Sequence, residues 1–95
     1  MRLQDRIALI IGAARGIGAG IAEVFAEEGA KLVIADALEA EGQATAARLA
    51  ALTETLAVRM DVISPADNKA VVAAALARFG RVDILVQNAG IYPSP

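Results

Sequence analysis

Four short runs of branched apolar residues recur along the chain, and each of the first three leads into a longer segment of helical period. The runs cover residues 6–11, 31–35, 55–60 and 82–86. They are continuous rather than alternating, as strands covered on both faces must be. Between the first two, from Gly16 to Glu28, Ile17, Ile21, Val24 and Phe25 fall at the spacing of one helix face. Residues 38–52 form an alanine-rich helical segment with Glu39, Glu41 and Arg48 outward. A third helix starts at Ser64-Pro65-Ala66-Asp67, a capping serine with proline in the first turn and an acid three residues after the cap. It runs to Phe79 on Val72, Ala75, Leu76 and Phe79. Gly29 and Gly80 stand where helix ends are expected. Strand–helix alternation with short connections predicts an α/β fold. The sheet is parallel, crossed by right-handed helical connections, with strand order 3-2-1-4 and helices on both faces.

Composition narrows the function. A chain of 95 residues holds one domain at most, and 57% apolar residues with a net charge of −2 exclude disorder. Cysteine and histidine are both absent, which excludes a disulfide scaffold, a cysteine–histidine metal site, and Ser–His or Cys–His catalysis within this chain. Nine basic and eleven acidic residues are well mixed, so no nucleic-acid patch or polybasic membrane anchor is expected. No apolar run approaches the ~18 residues of a membrane helix. Charges at Arg2, Asp5 and Arg6 occupy the place of a signal peptide's apolar stretch, so a cytoplasmic protein is expected. The 23 alanines suit helices that lie close to a sheet.

The first strand runs into Gly12-Ala13-Ala14-Arg15-Gly16-Ile17-Gly18. A glycine-rich turn between strand and helix points backbone N–H groups at a phosphate, where the helix N-terminus adds about half a positive charge. Gly12 permits the turn, Gly16 lets the backbone approach a pyrophosphate, and Gly18 lets helix and strand pack closely. A tight turn with no ligand remains the plainer alternative. Asp36 ends the second strand 18 residues after Gly18. An acid there accepts from both ribose hydroxyls of an adenosine and repels a 2′-phosphate. A solvated loop acid is the alternative. Arg15 pulls the other way, since a cation in the loop could hold a 2′-phosphate, but Ala37 adds no second cation. The balance favours NAD over NADP.

Asp61-Val62 closes the third strand and Asn88-Ala89-Gly90 the fourth. The carboxyl ends of strands in such a sheet face the ligand crevice. Asp61 could accept from an adenine amino group with Val62 against the ring, or cap the following helix. Asn88 could bond neighbouring backbone beside a ribose, or form an ordinary Asx turn.

Taken together, Gly12, Gly16, Ile17 and Gly18, then Asp36, Asp61-Val62 and Asn88-Ala89-Gly90, make the chain resemble the N-terminal part of a classical short-chain dehydrogenase/reductase. The resemblance covers all 95 residues. It implies the first half of a Rossmann-type doubly wound sheet, with residues 1–95 as the N-terminal dinucleotide-binding part of a single domain. It implies that the Arg15–Ile17 turn holds pyrophosphate, Asp36 the adenosine ribose, Asp61 and Val62 the adenine, and Asn88 to Ile91 the nicotinamide-side ribose. It further implies an NAD-dependent oxidoreductase that interconverts an alcohol and a ketone, acting on a small molecule as a homo-oligomer.

Two positions depart from the pattern: Ile11 stands where a Thr or Ser is usual, and Gln87 where a first Asn is common. An isoleucine cannot tie the first strand to the Asn88 turn. The family's catalytic Ser and Y-x-x-x-K pair find no match. The single tyrosine, Tyr92, is followed only by Pro93, Ser94 and Pro95. No catalytic residue is therefore expected in this chain. A fragment of a longer enzyme is the expectation, against a stand-alone dinucleotide-binding module or a non-catalytic piece that needs a partner chain. The unprotected Ile84-Leu85-Val86 run favours the fragment, because a lone chain should guard its outer strand.

Overall fold

A computed structural model describes residues 2–14 and 16–88. Strands β1 (Ile7–Ile11), β2 (Lys31–Asp36), β3 (Thr55–Arg59) and β4 (Ile84–Gln87) alternate with helices α1 (Gly16–Glu27), α2 (Glu39–Leu49) and α3 (Pro65–Phe79). All three strand pairings are parallel, and the sheet order is β3-β2-β1-β4. The expected topology is the observed one. β1 pairs with β2 from Ile7–Lys31 to Ile11–Ala35, and with β4 from Ala8–Ile84 to Ile11–Gln87.

The two faces of β1 and β2 seed two cores, as strands covered on both sides require. Ala8, Ile10, Leu32 and Ile34 pack with Ala22 and Ala26 of α1 and with Ala46 and Leu49 of α2. On the opposite face, Leu9, Ile11, Val33 and Ala35 pack with Val71 and Ala75 of α3. Every residue of β1 is buried, whereas β4 alternates between half-buried and exposed.

The helices stand where the sequence predicts them, but two are rotated from their expected faces. In α1 the buried residues are Gly18, Ala22 and Ala26. Ile17 is 76% exposed and Val24 55%, while Ile21 and Phe25 pack at the margin of the core. The apolar period is right and its phase is not. A helix pressed close to a sheet buries its smallest side chains, and larger ones move to the flanks. In α3 the buried face is turned by about one residue, so Val71 and Ala75 are buried and Val72 and Leu76 stand about half exposed, with no difference in size between the two valines. α2 is also shorter than expected, because the N–H groups of Leu52 and Thr53 both turn back to the Leu49 carbonyl. Thr53 then donates its hydroxyl to the Ala30 carbonyl at 2.7 Å and leads the chain toward β3.

β4 begins at Ile84 rather than residue 82, for a chemical reason. Asp83 donates its N–H to the Ile7 carbonyl at 2.8 Å, and its carboxylate accepts the Ile7 N–H at 2.8 Å. A side chain thus takes the place of a ladder rung. Arg81 Nε holds the same carboxylate at 2.9 and 3.1 Å, and its guanidinium reaches the Asp5 carbonyl at 3.0 Å. The Ile7 N–H first, and then Arg81, hold the Asp83 carboxyl below its ordinary value. A carboxyl whose folded value is depressed stabilises the fold at pH above its unfolded value, and that contribution is lost as pH falls through the folded value. Asp83→Asn is therefore expected to lower the thermal midpoint at neutral pH. It should also flatten the acid limb of a plot of midpoint against pH below about pH 4. An acid limb identical to that of the wild type would contradict this role.

Candidate functional site at the carboxyl ends of the strands

The ends of β1, β2, β3 and β4 meet along one edge of the sheet, where hydrogen bonds tie three of the sequence motifs together. The Gly12 N–H extends the ladder to the Ala35 carbonyl at 2.8 Å, and the chain then turns out of the sheet. Gly16 opens α1 with φ of +65°, a left-handed conformation costly for a side-chain-bearing residue. Among the described residues, a Cβ there would meet no atom within 4 Å. Gly18 is different. A Cβ at this position would overlap the Gly12 carbonyl oxygen and lie 2.9 Å from Asn88 Nδ2. Only glycine lets α1 sit this close to the end of β1. No acidic residue occupies the first turn of α1, where the helix dipole presents its positive end.

Asn88 donates its backbone N–H to the Ile11 carbonyl at 2.9 Å and its side-chain amide toward the Gly12 carbonyl at 3.4 Å. The tie between β1 and the β4 turn, which Ile11 cannot make with a hydroxyl, is made from the Asn88 side. Gln87 continues the ladder opposite Ile11.

Asp36 is not a free loop acid. Its Oδ2 accepts the Ala14 N–H at 3.1 Å and its Oδ1 accepts the Leu38 N–H at 2.9 Å. The first bond joins the glycine turn to the end of β2. The second orders the start of α2, which has no side-chain cap of its own. With both oxygens so fixed, the carboxylate has a set orientation at the strand end and keeps lone pairs for further donors.

Asp61 lies one residue past Met60, whose N–H donates to the Asp36 carbonyl at 3.0 Å. Its Oδ1 accepts the Ile63 N–H at 3.1 Å in a local turn. Capping of α3 falls instead to Ser64, whose hydroxyl accepts the Asp67 N–H at 3.2 Å. The Asp67 carboxylate reaches back to the Asp61 N–H at 2.8 Å rather than closing a reciprocal box. Of the two roles open to Asp61, helix capping is thus taken by another residue. Val62 is half-buried against the core on the α3 face. Ile17 is exposed at the head of α1.

The expected residues Arg15, Ala89, Gly90 and Ile91 lie outside the described residues, as does Tyr92. Thr45 and Asp83 emerge only from the structure, because their bonds span 31 and 76 positions and no local pattern marks them. Among the described residues, no group of three or more His, Cys, Asp or Glu could hold a metal ion. No helix there is long and apolar enough to cross a membrane.

Comparison with known proteins decides the family. The short chain dehydrogenase family model matches residues 6–95. The chain belongs to the short chain dehydrogenase family. It is 49% identical over 92 residues to a galactitol 2-dehydrogenase of Agrobacterium fabrum, an alignment that covers 97% of this chain and 35% of that protein. It is 47% identical over 98 residues to a trans-4-hydroxycyclohexanecarboxylate dehydrogenase of Sinomonas cyclohexanicum, covering 96% and 38%. The crystal structure of a hydroxysteroid dehydrogenase from Escherichia coli superposes with a TM-score of 0.91 at 34% identity, covering 99% of this chain and 43% of that one. The chain therefore spans a little over a third of the length of the curated relatives it matches.

Two glycines on one helix give opposite tests of this geometry. Gly18→Ala must displace backbone and is expected to destabilise the protein by about 1–3 kcal/mol. Gly20→Ala meets no atom within 4 Å and is expected to be neutral or to stabilise by up to about 1 kcal/mol. Denaturant unfolding of both variants checks the pair, and equal effects would refute the close approach.

Proposed function

We propose that residues 1–95 are the N-terminal dinucleotide-binding part of a Rossmann-type domain in an NAD(H)-dependent oxidoreductase that interconverts an alcohol and a ketone. The observation that carries this reading is the bond from the Ala14 N–H to Asp36 Oδ2. It makes one unit of a turn suited to phosphate and an acid suited to ribose.

The residues fit such a cofactor on their own chemistry. The room for a Cβ at Gly16 and the acid-free first turn of α1 suit a pyrophosphate, which Gly12, Arg15, Gly16, Ile17 and Gly18 would surround. Asp36 would accept from the adenosine ribose hydroxyls. Asp61 and Val62 would border the adenine, and Asn88, Ala89, Gly90 and Ile91 the second ribose. The nicotinamide, when bound, would supply or accept the hydride. This chain's own part is to bind and orient. It holds the nucleotide's charge against a helix terminus and sets its position across the β1–β4 boundary, where the strand order reverses. The proton chemistry at the substrate oxygen belongs to residues beyond this chain, which carries no Y-x-x-x-K pair. That the substrate is a small hydroxylated or keto compound is supported by the dehydrogenases to which the chain is similar.

Asp36 places a negative charge where a 2′-phosphate would sit, so the complete enzyme is expected to prefer NAD+ over NADP+ by about 100-fold. Asp36→Ala combined with Ala37→Arg should shift that ratio toward NADP+. Calorimetric titration with both nucleotides reads the ratio, and equal affinities in the wild type would refute the assignment of Asp36. The 95-residue chain alone is expected to show no NAD+-dependent oxidation of a secondary alcohol. Turnover by mass-verified chain would overturn the placing of catalysis beyond it.

A further inference from the structure

Among the described residues, Thr45 on α2 stands alone as a polar side chain buried in the core, at 5% exposure. A helical threonine commonly returns its hydroxyl to the carbonyl three or four residues back. Thr45 instead donates to the Ala14 carbonyl at 2.8 Å, 31 positions away, in the middle of the glycine turn. Ala14 is itself buried, and its N–H is the one that Asp36 accepts. Both polar groups of this peptide position are therefore held by side chains, one from the end of β2 and one from α2. The Ala14 carbonyl matters electrostatically. A carbonyl oxygen left free beside an anion site would turn its negative end toward a phosphate. Bonded to Thr45, it faces a donor within the protein.

We propose that Thr45 is a positioning residue for nucleotide binding. Through the Ala14 carbonyl it sets the turn that leads into Gly16, and with Asp36 it presents the phosphate and ribose subsites as one preformed unit. The proposal rests on the reading of this turn as a nucleotide site. It adds that α2, whose Thr45 is not itself proposed to touch the cofactor, governs cofactor affinity.

The test uses the complete oxidoreductase, with NAD+ as the probe. Thr45→Val keeps the shape and removes the hydroxyl. Its Kd and KM for NAD+ should rise about tenfold, or about 1.4 kcal/mol, with kcat at saturating NAD+ within about twofold of wild type. Thr45→Ser, which restores the donor, should return both constants to within about twofold of wild type. An unchanged Kd in Thr45→Val, failure of serine to rescue, or a fall in kcat that tracks loss of folded protein would overturn the proposal. Should Thr45→Val not fold, Thr45→Ala carries the same test: a Kd for NAD+ raised about tenfold with kcat unchanged supports the proposal, and an unchanged Kd overturns it. A wild type that binds neither NAD+ nor NADP+ sinks the nucleotide reading and this proposal together. A wild type that binds while Thr45→Val binds equally well sinks the proposal alone.

Discussion

The distance between α1 and β1 is set by the absence of one methyl group. At Gly18 the first turn of the helix lies against the Gly12 carbonyl, with the Asn88 amide beside it. Any Cβ would push the helix away from the sheet, and the small residues further along, Ala22 and Ala26, bury fully only because it stays close. The turn between Gly12 and Gly16 is short because its two ends are near each other. Its N–H and C=O groups then fall within reach of Asp36 and Thr45. One packing contact thus fixes a helix axis, a turn and the direction of two polar side chains.

Much of this was legible in the sequence, and the reasons differ by element. β1 and β2 were plain because strands covered on both faces read as unbroken apolar runs. The glycine spacing and Asp36 were plain because a strand–turn–helix motif is local. The face of α1 was not legible because hydropathy ranks isoleucine and valine above alanine, whereas close approach to a sheet selects for small volume, so Ile17 and Val24 stand outward. In α3 the adjacent Val71 and Val72 read alike, and only the packing decides which of them is buried. The start of β4 was misplaced because Asp83 looks like a strand residue and behaves as a clasp between two strand ends.

The residues Thr45 and Asp83, which escaped the sequence, and Asp67, whose partner did, share a physical character. They are polar side chains that satisfy main-chain groups outside their own elements: Ala14, Ile7 and Asp61. Burying an unpaired main-chain group costs about 1–3 kcal/mol, so each of these bonds guards a place where regular structure stops. Two of these residues, Thr45 and Asp67, hold groups at the carboxyl edge of the sheet, where a parallel sheet also presents its crevice. Asp83 works at the opposite edge, where β1 begins.

The strand order also has a consequence for synthesis. β1 gains its first neighbour, β2, soon after it is made, but the strand on its other side begins at Ile84, 77 residues after Ile7. At about 5–20 residues per second, the most apolar strand of the sheet waits several seconds on the ribosome with one edge bare. Burial of its two faces by α1 and α3 does not close that edge; only main-chain pairing does. The nascent chain is thus most vulnerable to mispairing in the interval between β2 and β4. The clasp from Asp83 to Ile7 comes from the residue directly before the strand that closes this edge.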